Sequence, residues 1–231
     1  MMPSRSIKCL RVGTLRLASH PNTRLENRHT LYLGESGSGK SQALKQNPAA
    51  NGRGCGWVAW DAAADHKATR VDSLSDFRRL MVAGIKSGRG YRAAITPSIE
   101  NRTAEYHEEW CRIVWAGLSG LRRLIVVDEE IASISSRPGK ADRYHGLLLR
   151  EGRKYGLEYH GTSQTPQEIP KTIYRECKKL WVGGSDPDAI EYVAKRIGVK
   201  PEEIAALKPL ELFRYDRREQ KPLIKKQFKY R

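Results

Sequence analysis

The stretch LYLGESGSGKSQ, residues 31–42, determines the fold expected for this chain. It matches GxxxxGK[ST] at every fixed position, the pattern of a phosphate-binding loop between a strand and a helix. Glycines tolerate the backbone angles that turn successive N–H groups inward, so such a loop can wrap the phosphates of a nucleotide. An apolar run precedes the loop and helix-forming residues follow it. The predicted nucleotide-binding residues are Gly34, Glu35, Ser36, Gly37, Ser38, Gly39, Lys40, Ser41 and Gln42.

Within this loop, Lys40 is expected to reach the outer phosphates and Ser41 to bind magnesium. Beyond it, apolar runs of strand length alternate with segments of helical period, which is typical of a mostly parallel sheet flanked by helices. The run LIVV, residues 124–127, is typical of a strand buried on both faces. Strands are predicted at residues 6–12, 30–33, 56–61, 91–96, 124–128, 157–161 and 179–182, and helices at 40–46, 73–83, 103–118, 142–155 and 187–197.

The length of 231 residues predicts a single domain. We divide it into an N-terminal strand region (1–29), a core (30–198) and a basic C-terminal extension (199–231). In the extension, LELFRY and LIKKQF alternate around a polar turn, which predicts a C-terminal β-hairpin.

The composition points to a polyanionic partner, because 42 basic residues face 26 acidic ones and the formal net charge is +16. The four cysteines form no CxxC pair, and no histidine stands near them at zinc-ligand spacing, so free thiols are expected. The six histidines are read as surface or packing residues, and the five tryptophans as packing residues. No run is long and apolar enough to anchor the chain in a membrane.

Acidic residues follow the most apolar predicted strand, in LRRLIVVDEE. Because the carboxyl ends of parallel strands meet at one edge of a sheet, Asp128 and Glu129 are expected beside the phosphate loop. One carboxylate can hold hydrated magnesium and the next can deprotonate water, so we assign Asp128 to the metal and Glu129 to catalysis. The alternative is a capping aspartate followed by a solvated glutamate. Glu130 is disfavoured as the base because side chains alternate faces along a strand.

Two further candidates come from LLLREGRKYGLEYHGTSQTP, residues 147–166. The predicted strand LEYHG places Gln164 at the same carboxyl edge of the sheet, where its amide can orient water or sense the γ-phosphate. The alternative is that Gln164 is only a turn residue. Arg150 and Arg153 share a helix face. One of them could act as an arginine finger, reaching the γ-phosphate of the nucleotide bound to a neighbouring subunit. The alternative is that both are ordinary surface residues.

Together these elements resemble the FtsK–HerA superfamily of ring-forming, DNA-pumping ATPases, and most of all the genome-packaging ATPases of membrane-containing icosahedral viruses and phages. The resemblance covers about residues 30–193, and it is carried by the phosphate loop, VAWD, YRAAITPS, LIVVDEE, and GRKYGLEYHGTSQTPQEIP leading into GGSDPDAIEYVAK. It implies a RecA-like P-loop NTPase with ATP and Mg²⁺ as cofactors. It also implies double-stranded DNA as partner, a homo-oligomeric ring expected to be a hexamer, contact with capsid vertex proteins, and a location in the virion or host cytoplasm.

The resemblance also assigns roles to single residues. Lys40 and Ser41 match the phosphate and metal ligands, Asp128 and Glu129 the metal and water-activating pair, Gln164 the sensor, and Arg153 the arginine finger of several relatives. This chain departs from the family after Asp61, where it reads DAAADHK in place of a Pro-Lys-Gly stretch.

A motor that moves any sequence should contact DNA phosphates. The loop SISSRPGKADR, with Arg137, Lys140 and Arg143, fits that need, although it could be a solvated connection. The basic C-terminus and KSGRGYR, residues 86–92, are further candidates. The leading hypothesis is therefore an ATP-driven DNA translocase that packages a viral genome. The alternatives are a P-loop kinase of a small metabolite, with SSRPGK as a basic lid, and a DNA-binding regulator switched by ATP.

Overall fold

The computed structural model describes residues 18–136, 139–219 and 223–230. The predicted strand at residues 6–12 lies outside them. The described strands are β1 Thr30–Leu33, β2 Gly56–Trp60, β3 Thr69–Val71, β4 Tyr91–Ile95, β5 Leu124–Asp128, β6 Leu157–Ser163, β7 Lys179–Val182, β8 Glu211–Asp216 and β9 Leu223–Gln227. The α-helices are α1 Lys40–Gln46, α2 Leu74–Ser87, α3 Ala104–Ala116, α4 Arg143–Glu151, α5 Lys171–Glu176, α6 Pro187–Ile197 and α7 Pro201–Ala205.

All described strands join one sheet in the order β3-β4-β2-β5-β6-β1-β7-β8-β9. Strands β1 to β7 pair in parallel, and β8 and β9 add an antiparallel hairpin next to β7. The predicted fold, a mostly parallel sheet flanked by helices with a C-terminal hairpin, is confirmed. Strand β6 lies between β1 and β5, so the segments that leave the carboxyl ends of these three strands are neighbours at one edge of the sheet.

The pleat of the sheet divides its side chains between two faces. Leu124 and Val126 of β5 belong to the larger core cluster, which takes in the buried residues of α2 to α7. Ile125 and Val127 belong to the smaller cluster, to which α1 contributes Leu44. Each residue at the end of β5 is therefore directed either toward α3 and α4 or toward α1 and the phosphate loop.

The structure adds short elements that the sequence pattern did not predict: β3, α5 and α7. Helices of five or six residues repeat the 3.6-residue period less than twice, so their pattern is weak. The fourth predicted helix ends at Glu151 and continues as a 3₁₀ turn, while β6 runs two residues further than predicted. All five tryptophans are buried, as predicted. Among the described residues, no helix has the length and apolar character needed to cross a membrane.

Candidate nucleotide-binding and hydrolysis site

The phosphate loop leaves the carboxyl end of β1 and runs directly into α1. Gly37 (φ 82°) and Gly39 (φ 105°) lie in the left-handed region that favours glycine. A Cβ atom on Gly39 would lie 2.9 Å from the Cα atom of Leu210, so close packing also requires glycine there. The Ser38 hydroxyl donates to the Glu35 carbonyl oxygen at 2.8 Å and holds the loop in its curved form.

A cavity of about 340 Å³ opens between the loop and the carboxyl ends of β5 and β6. Its lining includes most of the predicted loop residues together with Glu129 and Gln164. Asp128 is not part of this lining. The structure therefore brings most of the predicted site residues together at this cavity, but it places Asp128 elsewhere.

Glu130 lies in the cavity, contrary to the expectation based on strand alternation. Its carboxylate Oε1 lies 3.7 Å from the Lys40 ammonium and accepts a hydrogen bond from Gln164 Nε2 at 3.2 Å. The chain leaves β5 after Asp128, and Glu130 adopts a left-handed backbone (φ 52°). Strand alternation no longer applies at this position, so it gives no reason to disfavour Glu130 as a cavity residue.

Glu129 also lines the cavity, and a buried histidine holds its carboxylate. His66 Nε2 lies 2.8 Å from Glu129 Oε1, and both side chains are more than nine-tenths buried. The turn that carries His66 is fixed by Asp61, whose carboxylate accepts from the backbone N–H groups of Asp65 and His66. From the sequence, only a surface or packing role is predicted for His66. The signal that could have found it is the departure from the family pattern after Asp61.

Asp128 is directed to the opposite face of the sheet and is fully buried. Its carboxylate oxygens lie 3.1 Å from His107 Nε2 and accept from the Tyr159 hydroxyl at 2.8 Å, with His145 Nε2 at 3.4 Å. Burial by itself raises the pKa of Asp128, but the neighbouring imidazoles and the donated hydrogen bonds bring that pKa below its usual value. Alternate residues of a strand face the same side of the sheet, so the Asp128 side chain is directed, like that of Val126, toward α3 and α4. The assignment of Asp128 as a magnesium ligand is corrected accordingly.

Arg153 lies at the other edge of the sheet, in the 3₁₀ turn just before β6 begins. Its guanidinium donates to the carbonyl oxygens of Thr23, at 3.0 Å, and Leu25. It is therefore remote from the cavity of its own chain, and its role as a finger toward another subunit stays a prediction. Arg150, the alternative, is exposed at the end of α4.

The candidate DNA-contacting loop follows β5, and Lys140 and Arg143 are exposed there, while Arg137 lies outside the described residues. Elsewhere, several basic side chains serve internal packing. Arg92 stacks on the Trp57 ring at 3.8 Å. In the C-terminal hairpin, Arg214 and Arg218 pair with Asp216, and Lys225 pairs with Glu211. These contacts weaken the case for KSGRGYR and for the hairpin relative to the loop.

No family model matches the chain. Protein P9 of Pseudoalteromonas phage PM2 is 34% identical to it over 200 residues, which span 86% of this chain and 88% of that protein. Among solved structures, the genome packaging NTPase B204 from Sulfolobus turreted icosahedral virus 2, in complex with AMPPCP, matches with a TM-score of 0.69 at 15% identity, covering 89% of this chain and 99% of B204. The bacterial conjugative coupling protein TrwB without its N-terminal segment matches with a TM-score of 0.58 at 14% identity, covering 96% and 90%. These structures confirm the predicted P-loop NTPase fold.

Proposed function

Because this chain belongs to the same family as protein P9 of Pseudoalteromonas phage PM2, we propose that it is an ATPase that moves double-stranded DNA, and that this DNA is a viral genome entering a capsid. The observation that carries the proposal is the meeting of Lys40, Glu130 and Gln164 in one cavity of a P-loop fold. These residues follow β1, β5 and β6, so the fold itself assembles the groups that phosphoryl transfer needs. The likeness to a viral packaging NTPase and a conjugative coupling protein supports a motor over a metabolite kinase.

The phosphate end of the cavity is suited to magnesium and a triphosphate. Lys40 already faces a carboxylate, so it is placed to bind anionic oxygens. The Ser41 hydroxyl and the Glu130 carboxylate are hard oxygen donors, which Mg²⁺ prefers, and both line the cavity. We therefore assign Ser41 and Glu130 to the metal, so that Glu130 takes the role predicted for Asp128. When bound, magnesium neutralises charge that develops on the phosphate oxygens.

Glu129 is the group that we assign to water activation. Its carboxylate is buried at the cavity wall and held by His66, so its position is fixed before substrate binds. Gln164 carries no charge, so its amide can orient the attacking water without competing for magnesium. The assigned roles are therefore phosphate binding for Lys40, water activation for Glu129 and water orientation for Gln164.

In the proposed homo-oligomeric ring, Arg153 could act on the nucleotide site of a neighbouring subunit. In a head-to-tail ring, each subunit presents one side to the site of its neighbour. Arg153 lies at the edge of the sheet opposite the phosphate loop, which is where a residue that completes a neighbouring site would be needed. To do so, its guanidinium must leave the carbonyl oxygens of Thr23 and Leu25.

The test is phosphate release by the full chain with and without long double-stranded DNA. Wild type should be stimulated by DNA, Lys40→Ala should lose turnover, and Lys45→Ala, a lysine of the same helix outside the cavity lining, should resemble wild type. Turnover that ignores DNA but rises with a small phosphate acceptor would establish a kinase instead. Nucleotide binding without turnover would establish a regulator.

DNA contact by the loop after β5 is tested separately. Replacing Lys140 and Arg143 together by alanine should reduce the slope of log K against log salt by about 0.9 per lost phosphate contact. A control pair, Lys171→Ala with Lys195→Ala, removes the same charge from exposed positions of α5 and α6. Equal slopes for the two double variants would exclude the loop as a phosphate-contacting element.

A further inference from the structure

The nucleotide cavity has two chemically different sides. On the side of β5 and β6 its lining is charged or polar, with Glu129, Glu130 and Gln164. On the other side of the phosphate loop its lining is apolar and aromatic, with Leu210 and Tyr230. The sheet order explains the separation, because β5 is two strands from β1 in one direction and β8, which Leu210 precedes, is two strands away in the other.

Leu210 is held in a backbone conformation that is uncommon for its residue type. Its φ of 68° lies in the left-handed region, which non-glycine residues seldom adopt. Its N–H donates to the Ser38 carbonyl oxygen of the phosphate loop at 3.1 Å, and its carbonyl oxygen accepts from the N–H of Phe228 at 2.9 Å. One strained residue thus joins the phosphate loop to the C-terminal segment and forms part of the cavity wall.

Tyr230 is placed by the same segment. The Phe228 ring is buried against Trp181, with 5.2 Å between ring centroids, and Gln46 Nε2 of α1 donates to the Lys229 carbonyl oxygen at 2.5 Å. The backbone next to Tyr230 is therefore anchored to the sheet and to α1, while the Tyr230 side chain itself is 74% exposed. An anchored but exposed aromatic ring at the mouth of a polar cavity is suited to stack on a flat ligand.

We propose that Leu210 and Tyr230 form the base-binding wall of the site, with the Tyr230 ring stacked on the base of a nucleoside triphosphate. This inference rests on the proposed ATPase function and adds the residues that recognise the nucleoside. With the phosphates on the loop and the terminal phosphate beside the acidic residues, the base extends toward the opposite side, where these two residues lie. Stacking on an aromatic ring suits any base, so the wall selects a nucleoside over a phosphorylated metabolite without a base.

The experiment compares two ligands on the full chain in the presence of Mg²⁺: ATP, and inorganic tripolyphosphate, which has no base. By calorimetry, Tyr230→Ala should bind ATP at least about 5-fold more weakly, which is the lower end of the contribution of one aromatic ring stacked on a base. Its affinity for tripolyphosphate should be unchanged, and Tyr230→Phe should bind both ligands like wild type. Ile99→Ala removes an equally exposed apolar side chain outside the cavity lining and should affect neither ligand.

The inference is overturned if Tyr230→Ala binds ATP as tightly as wild type, or if it loses affinity for tripolyphosphate to the same extent. A wild-type chain that binds neither ligand would instead overturn the proposed function. Lys40→Ala separates the two sides of the cavity, because it should weaken both ligands together.

Discussion

Replacing Asp128 by asparagine separates a structural role from a metal-binding one. In the structure, one oxygen of this carboxylate accepts from the Tyr159 hydroxyl and both lie within reach of His107 Nε2. Asparagine has nearly the same shape but only one acceptor oxygen. With its oxygen at the position of Oδ2, asparagine keeps the Tyr159 hydrogen bond, but its amide nitrogen replaces Oδ1 and opposes the buried His107 N–H. In the reverse orientation the amide nitrogen opposes the Tyr159 hydroxyl. Either way, one buried donor faces another donor.

An unpaired buried donor costs about 1–3 kcal/mol of unfolding free energy. For a chain of this size each kcal/mol lowers the melting temperature by about 2–4 °C, so Asp128→Asn should melt about 2–12 °C below wild type. Magnesium-dependent ATP binding, measured well below the melting temperature, should be retained, because the carboxylate does not line the nucleotide cavity.

The assay is thermal unfolding followed by circular dichroism, with calorimetric ATP titrations on the same samples. Asp188→Asn makes the same chemical change at an exposed position of α6 and should shift the melting temperature little. If Asp128→Asn melts like wild type but loses magnesium-dependent ATP binding, the carboxylate reaches the metal after all and the reasoning from the pleat is refuted.

Three further outcomes are expected. His66→Ala should lower kcat of phosphate release about 10- to 100-fold, because Glu129 loses the side chain that positions it, while KM for ATP should change little. His66→Gln keeps a hydrogen-bond donor and should recover part of the lost kcat. Equal kcat values for His66→Ala and wild type would contradict this role. Burial lowers the pKa of His160 from 6.5 to about 3, so between these pH values the unfolded chain binds a proton at this histidine and the folded chain does not. The free energy of unfolding, measured by urea titration, should therefore fall as pH drops below 6.5, by up to about 1.4 kcal/mol per pH unit. His160→Asn should show a shallower fall. Inactive Arg153→Ala and Glu129→Gln chains, mixed, should regain part of the DNA-stimulated activity, and a mixture no more active than its components would remove the case for a finger between subunits.

The surroundings of His160 disfavour a charged imidazole. The Tyr32 hydroxyl, which accepts from Asn47 Nδ2 at 2.6 Å, lies 3.1 Å from His160 Nδ1. The other ring nitrogen, Nε2, is buried and has no hydrogen-bond partner among the described residues. A protonated His160 would carry an N–H on both ring nitrogens, so the Nε2 donor would stay unpaired in the core, in addition to the cost of burying a charge.

Local sequence signals were sufficient for the architecture. The glycine-rich loop and the apolar run of β5 each predict their element from neighbouring residues alone. The bounds predicted for β1, α1, β5, β7 and α6 match the structure. Such signals persist because strand and helix periods, capping and glycine conformations act over only a few residues. The short elements β3, α5 and α7 escaped because they extend over too few residues to show a period.

By itself, the sequence determined a P-loop fold with a nucleotide loop at Lys40 and acidic residues at the carboxyl edge of the sheet. Only the tertiary structure decided which acids face the cavity: Asp128 is turned away by the pleat, and Glu130 is turned inward by a backbone that has left the strand. The tertiary structure alone also brought His66 and Tyr230 to the site, from segments distant in sequence. The physical reason is that side-chain direction at a strand end, and contacts between remote segments, depend on how the whole sheet packs, and no local pattern records them.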